Sequence, residues 1–203
     1  MKNALIIFIS CISLSIASCS PAGEKRVVVI ASGKFTVDGK TIKLEPSMSH
    51  NEQEIVFRED KVTLSLQSTD GNNKTFELPT NGVYLLNLQT DTLIGGNVSY
   101  GSQGMPSSIT VEQLDHIIDS TKQLMAGLNA SDANKTYFLP PFTIKKISEQ
   151  QSARIIGPFK GIPYKLEPDN NGKIPDIIKF FSNKQKRETL NDLMEERAKI
   201  KSK

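Results

Sequence analysis

Short apolar runs separated by turn signals recur at regular spacing over residues 26–100, and they constrain the fold more than any other feature. Asp38-Gly39 lies between two alternating runs, 34–37 and 41–44, which is a strong β-hairpin signal. A second turn, Asp70-Gly71-Asn72-Asn73, separates two further alternating runs. We count about seven or eight such strands, and this number predicts an antiparallel β-sandwich with a loop over residues 46–51.

A tyrosine after one of these turns bears on the type of sandwich. The sequence Asn81-Gly82-Val83-Tyr84 resembles the corner before a late strand of immunoglobulin-like sandwiches, where a tyrosine hydroxyl bonds back to the backbone. The alternative is an exposed Tyr84 after a turn, and both remain open. The chain has no tryptophan, so the Cys–Trp–Cys core of antibody domains is absent. We expect a mainly β fold, an Ig-like or transthyretin-like antiparallel β-sandwich, with an α+β C-terminal part.

The pattern changes after a Gly- and Ser-rich stretch that ends at Pro106. We take residues 101–109 as a linker, 26–100 as the sandwich domain and 110–203 as the α+β region. Thr110 and Gln113 form a capping-box signal at the start of an amphipathic pattern. The predicted C-terminal elements are a helix over 111–128, a small β-hairpin region over 137–166 and a final helix over 175–200.

The first eighteen residues have the three-part build of a secretory signal. Lys2 begins a short charged segment, an uncharged apolar stretch follows, and small residues precede a cysteine. The apolar stretch is too short and too rich in serine for a transmembrane helix. Ile16-Ala17-Ser18-Cys19 resembles the lipobox of bacterial lipoprotein precursors. The resemblance implies cleavage between Ser18 and Cys19, a diacylglyceryl thioether on Cys19 and often an acyl group on its new amine.

The alternative for this segment is an ordinary secreted protein with a chance cysteine at the cleavage site. The lipoprotein interpretation makes 1–18 the signal peptide and 19–25 a short tether to the fold. It implies a lipid-anchored protein of the cell envelope, with the outer membrane favoured and the periplasmic or surface side exposed. After processing, Cys19 is the only cysteine, so we expect no disulfide and a fold held by its core alone.

The net charge of +3 is not that of a nucleic-acid-binding protein, so we expect no nucleic-acid partner. Basic residues exceed acidic ones over 173–203, which indicates either a solvated helix face or a contact with anionic lipid or an acidic partner. Aromatic residues also alternate with basic ones after residue 137. Such a pattern fits a groove for peptides or glycans, but core aromatics with outward-facing lysines are favoured; the aromatics are Phe138, Phe142, Phe159 and Tyr164.

The two histidines are the weak candidates for chemistry. His50 lies in the predicted loop, and loops carry function more often than cores do. His116 shares a helix surface with Glu112 and Asp119, a set that could hold a metal or tune a general base. A solvated side chain is favoured for both, and we predict no catalytic residue, no metal site and no cofactor.

The sequence therefore predicts a lipid-anchored envelope protein that binds a protein or glycan partner, or serves as a scaffold, without catalysis. One alternative is a small envelope hydrolase or metal-dependent enzyme that uses His50 or His116. A second alternative is an envelope assembly factor that acts through the C-terminal helix.

Overall fold

The computed structural model describes residues 23–98, 109–165, 167–168, 172 and 174–201. Within them the chain forms ten strands, in two sheets, and two helices, so the predicted mainly β class is confirmed. In chain order the elements are β1 (Lys25–Asp38), β2 (Thr41–Phe57), β3 (Val62–Ser68), β4 (Lys74–Leu78), β5 (Gly82–Leu88), β6 (Leu93–Val98), α1 (Val111–Met125), β7 (Thr136–Leu139), β8 (Thr143–Ser148), β9 (Arg154–Ile156), β10 (Ile177–Ser182) and α2 (Asn183–Lys201).

The first sheet has six strands in the order β4-β3-β2-β1-β5-β8. It is a mixed sheet, because β1 runs parallel to β5 and β2 runs parallel to β3. The expectation of purely antiparallel pairing is therefore wrong. The reason lies in β5, whose residues are all buried. Strands that are covered on both faces are typical of parallel pairing, whereas an antiparallel strand at the surface alternates.

A wide bulge bends the β1–β2 hairpin halfway along its length. The pairing jumps between Ser32 and Gly33 of β1, which leaves residues 47–49 of β2 without partners on β1. The loop predicted over 46–51 is therefore a bulge inside one 17-residue strand. The sequence does not predict one continuous strand here, because the alternation of apolar and polar residues is interrupted wherever a strand bulges.

Gly33 makes this bend possible. Its φ of +123° lies in a region that L side chains rarely adopt. A Cβ at this position would lie 2.1 Å from the carbonyl oxygen of Glu45 and 2.8 Å from Cα of Pro46. The two backbones meet too closely for any side chain, so the bend requires glycine.

The bend brings both halves of the hairpin onto one hydrophobic cluster, here called core 1. Val27 lies before the bend and Phe35 after it, yet both belong to core 1. Buried side chains of β1 to β5 fill it, and Phe142 and Ile144 pack against its margin. Each fully buried Leu or Val contributes about 1.5–3 kcal/mol, so this cluster is a main source of stability.

The second sheet has the order β7-β6-β10-β9 and packs on the other face of β1 and β5. Core 2, the cluster between the sheets, joins Val28 and Leu85 to Tyr137 and Phe180. Residues from both sides of the expected linker thus share one core, and most of that linker, 101–108, lies outside the described residues.

The small β-hairpin region expected over 137–166 takes a different form. Strand β8 pairs with β5 in the first sheet, β7 pairs with β6, and β9 pairs with β10. These three strands therefore form no hairpin with one another. A pattern of short apolar runs does not specify long-range partners, because it reports only which side chains are buried.

The helices lie beside the second sheet and contact each other. The predicted capping box at the start of α1 is confirmed, with Thr110 and Gln113 bonding to each other's backbone. The final helix starts at Asn183, later than expected, since residues 177–182 form β10. The apolar run that forms β10 is buried on both faces. Such a run does not distinguish a strand from a helix in the sequence. Within the residues that the structure describes, neither helix has the length and apolarity needed to span a bilayer.

Candidate functional site

The predicted lipidation and cleavage residues, Ser18 and Cys19, lie outside the described residues. The described chain begins at Gly23, and β1 follows at Lys25. The Lys25 ammonium donates to the Glu59 carbonyl at 2.8 Å and to the Asn81 side chain at 3.1 Å. We call this part of the first sheet the tether end.

Further side-chain hydrogen bonds and an ion pair hold the chain in place at the tether end. Tyr84 is buried, and its hydroxyl donates to the Thr80 carbonyl at 2.6 Å. Of the two alternatives for this residue, the structure therefore has the hydrogen-bonded corner. Arg58 pairs with Glu24 at 3.0 Å just before the first strand. The start of the fold is thus held to the turns around it.

The opposite end of the sheet lies at the bend. From Lys25, β1 advances seven residues to Ser32 beside the parallel strand β5. At about 3.3 Å per residue, this places the bulge roughly 23 Å from the tether end. Strand β5 ends there at Leu88, as does β3 at Ser68, and β8 begins there. We call this part the distal end.

The distal end contains a cavity of about 580 Å³, the distal cleft. Its apolar wall includes Leu44 and Leu88, which are buried members of core 1, and Phe142. Polar groups come from the bulge, from the end of β5 and from the β3–β4 turn; they are Ser32, Ser47, His50, Asp70 and Thr90. Met48, at the tip of the bulge, is 97% exposed and also lines the cleft.

His50, one of the two predicted candidates, lines the distal cleft and stacks on Phe159. The ring centroids are 3.6 Å apart and the rings are inclined by 21°. Phe159 is half exposed, so the preference for a core role is wrong for this aromatic and also for the fully exposed Tyr164. The signal that could have found Phe159 is its Gly-Pro-rich neighbourhood, which marks a surface loop.

A buried lysine holds the segment that carries Phe159. The Lys179 ammonium donates to the carbonyls of Gly157 and Lys160, each at 2.6 Å. Burial lowers the pKa of Lys179, and the nearby Glu52 carboxylate opposes that shift. Glu52 also pairs with the Lys160 side chain at 3.2 Å. Loop 157–160 is therefore fixed from two sides.

Asp70 is an oriented carboxylate at the rim of the distal cleft. It accepts hydrogen bonds from the Ser68 hydroxyl at 2.6 Å and from the backbone N–H of Asn72 at 3.1 Å. The Asn72 side chain donates to its other oxygen at 2.9 Å. The Ser68 hydroxyl, followed by the Asn72 backbone, holds the pKa of Asp70 below its usual range, so the group is ionised at neutral pH.

Phe142, on the apolar wall, has a φ of +53°. Bulky residues adopt this left-handed conformation rarely, and such outliers concentrate at ligand sites. The backbone around it is fixed, because Thr143 donates to the Pro140 carbonyl at 2.7 Å and Lys74 donates to the Phe142 carbonyl at 3.4 Å. The ring therefore has a set position in the wall.

His116, the second candidate, lines a separate cavity of about 730 Å³ beside α1, the helix cleft. Its Nδ1 atom lies 3.5 Å from the Ser120 hydroxyl. Asp115 points elsewhere and forms a bidentate pair with Arg197 of α2, whose second bond measures 2.9 Å. This pair raises the pKa of Arg197 and joins the basic final helix to α1.

His50 stacks on an aromatic ring, and His116 lies beside a hydroxyl group. Across residues 23–98, 109–165 and 174–201, no ion pair joins a histidine to a carboxylate. The same part of the chain contains no group of three His, Cys, Asp or Glu side chains that could hold a metal ion. The distal cleft can instead hydrogen-bond hydroxyl or amide groups and contact apolar faces.

Comparison with protein-family models, with curated proteins and with solved structures found no match to this chain. Function is therefore inferred from the sequence and from the site geometry.

Proposed function

We propose that the chain is a lipid-anchored cell-envelope protein that binds a ligand and catalyses no reaction. We favour the outer membrane as the membrane that holds the anchor. The observation that carries the proposal is the sequence Ile16-Ala17-Ser18-Cys19, six residues before the first strand. Two or three acyl chains on Cys19 would form a stable anchor, since one chain alone binds only marginally.

The short tether gives the anchored protein a direction. Six residues reach at most about 20 Å, so Lys25 and the tether end stay near the membrane surface. The distal cleft lies at the bend halfway along β1, roughly 23 Å along the strand from Lys25. This separation supports a binding role, because a ligand in the surrounding compartment can reach the cleft without contacting the membrane.

The alternatives have less support. A hydrolase or metal-dependent enzyme would need His50 or His116 beside a carboxylate, and each histidine has instead an aromatic or hydroxyl neighbour. For an assembly factor acting through α2, one of the basic residues of that helix, Arg197, is already engaged with Asp115.

We also infer that the folded-over first sheet is the sandwich that the sequence predicts. Core 1 between its two halves supports this comparison, as does the bond from Tyr84 to Thr80. The parallel pairs of β1 with β5 and of β2 with β3 are departures from a purely antiparallel sandwich.

Metabolic labelling with an alkyne fatty acid tests the anchor. The wild-type protein should carry the label and partition with membranes, and Cys19→Ala should lose the label because the thioether cannot form. Mass spectrometry of the mature N-terminus should find a modified Cys19.

Cys11→Ala is the matched control, since Cys11 is the other cysteine of the chain and lies inside the signal. It should keep the label and the membrane fraction. An unmodified Cys19 at the mature N-terminus, or label retained in Cys19→Ala, would remove the anchor from the proposal.

A further inference from the structure

We propose that the distal cleft binds a neutral saccharide, because it combines an apolar aromatic wall with hydroxyl groups and one oriented carboxylate. This inference deepens the proposed function by naming a ligand class. It rests only on the binding role and not on the lipid anchor.

The apolar wall fits one face of a sugar ring. A pyranose has a face of C–H groups and an edge of hydroxyls, so it needs both kinds of contact at once. Leu44, Leu88 and Phe142 offer the apolar contact, and the cleft volume of about 580 Å³ lies within the usual range for small-ligand sites. His50, which stacks on Phe159, adds an aromatic ring to the lining.

The polar groups match the hydroxyl edge. Asp70 is ionised and held by three hydrogen bonds; its Oδ1 accepts two of them, whereas Oδ2 accepts one and keeps a lone pair for a ligand hydroxyl. Ser32, Ser47 and Thr90 offer hydroxyls that both donate and accept. A bond from a neutral hydroxyl to a carboxylate is among the stronger hydrogen bonds in proteins.

The charge of the cleft favours a neutral ligand. None of the residues that line it is a lysine or arginine, and Asp70 would repel an anion. A cationic ligand would gain little, because Asp70 is exposed to water, which screens an ion pair with it. Stacking and several hydroxyl bonds therefore select the ligand more than charge does.

The cleft is also formed before a ligand arrives. The Gly33 bend fixes the bulge, the Lys179 ammonium fixes loop 157–160, and the turn after Pro140 fixes Phe142. A rigid site loses less conformational entropy on binding, which raises affinity.

The test measures binding of oligosaccharides to the full chain, purified from membranes in detergent. The probes are neutral tetrasaccharides of glucose, of N-acetylglucosamine and of mannose, with a uronic-acid tetrasaccharide for comparison. Calorimetry and saturation-transfer NMR report affinity and contact protons. We expect at least one neutral probe to bind with a dissociation constant between about 10 μM and 1 mM, with saturation strongest at ring C–H protons.

Two variants locate the site, and a third is the control. Asp70→Asn should weaken binding about tenfold or more by removing the charged acceptor, and Phe159→Ala should weaken it by removing the support of His50. His116→Ala, in the helix cleft, should bind as the wild type does. Urea unfolding checks that each variant remains folded.

Three results would overturn the inference. They are the absence of binding by every neutral probe at about 10 mM, tighter binding of the uronic-acid probe, and unchanged affinity in either cleft variant. A failure here leaves the fatty-acid labelling of Cys19 unaffected, and a failure of that labelling leaves the saccharide measurement unaffected. The two proposals can therefore be rejected separately.

Discussion

The chain is held in place in different ways at the two ends of the first sheet. At the tether end, side chains form the closing bonds, as Lys25 does with Glu59 and Tyr84 does with Thr80. At the distal end the backbone turns through the bulge, Gly33 and the left-handed Phe142, and side-chain bonds hold the turn at Asp70 and loop 157–160. Side chains at the tether end are therefore committed to stability, whereas those that line the distal cleft can also contact a ligand.

This difference has a general physical reason. A bulge changes the direction of a strand by backbone geometry alone and turns its side chains outward. Met48 at the bulge tip is 97% exposed, whereas Tyr84 at the other end is 3% exposed. We therefore expect stability to depend on backbone at the distal end and on side chains at the tether end.

The largest expected effect comes from Gly33→Ala. The new Cβ would meet the Glu45 carbonyl, and φ would stay in a disfavoured region. We expect a loss of about 3–5 kcal/mol in the free energy of unfolding, or failure to fold. Urea unfolding followed by circular dichroism measures it.

Gly39→Ala is the matched control for that change. Gly39 also has a positive φ, +58°, but a Cβ there has nothing within 4 Å. It should lose only about 1–2 kcal/mol, the conformational cost alone. Equal losses in the two variants would mean that the bend does not depend on the close approach at Gly33.

The next effect is at the tether end. Tyr84→Phe removes only the hydroxyl that donates to the Thr80 carbonyl. Since the Tyr84 side chain is buried and the bond is part-buried, we expect a loss of about 0.5–1.5 kcal/mol in the free energy of unfolding. Met48→Ala at the distal end should change it by less than about 0.5 kcal/mol, because the side chain is exposed. A larger loss for Met48→Ala than for Tyr84→Phe would reverse the comparison.

Local features of the fold could be predicted from the sequence, and long-range pairing could not. The turns at Asp38-Gly39 and at residues 70–73, the capping box at Thr110 and the mainly β class all follow from short-range chemistry. The pairing of β8 with β5 joins residues about sixty positions apart. No periodicity within either segment specifies such a partner.

The distal cleft shows the same division between local features, which the sequence predicts, and long-range contacts, which it does not. His50 is recognisable as a candidate because it lies in a predicted loop, but its partner Phe159 is remote in sequence, and the sequence pattern favours a core position for Phe159. Asp70 is recognisable from the sequence only as a turn residue. Its role at the cleft depends on the bend at Gly33, which brings the β3–β4 turn near the bulge. The bend follows from a close contact between two backbones, and a sequence does not reveal such contacts.

The smallest expected effect tests side-chain closure through pH. Arg26 on β1 forms a bidentate pair with Glu54 on β2, with bonds of 2.9 and 2.7 Å, and bonds to the Ala153 carbonyl. The Arg26 guanidinium holds the pKa of Glu54 below its unfolded value of about 4.5. The pair therefore stabilises the fold above that pH, and the stabilisation is lost as pH falls through the lower, folded pKa.

Glu54→Gln should therefore reduce the free energy of unfolding at neutral pH and reduce it less at about pH 3, where more of the carboxyl group is protonated. Because Glu54 is 42% exposed, solvent screening limits the difference to about 0.5–1 kcal/mol. Urea unfolding of both proteins at the two pH values measures it. Glu77→Gln, an exposed change on β4, is the control and should show no such dependence. An equal loss of unfolding free energy for Glu54→Gln at both pH values would indicate that the packing of Glu54, and not its charge, stabilises the fold.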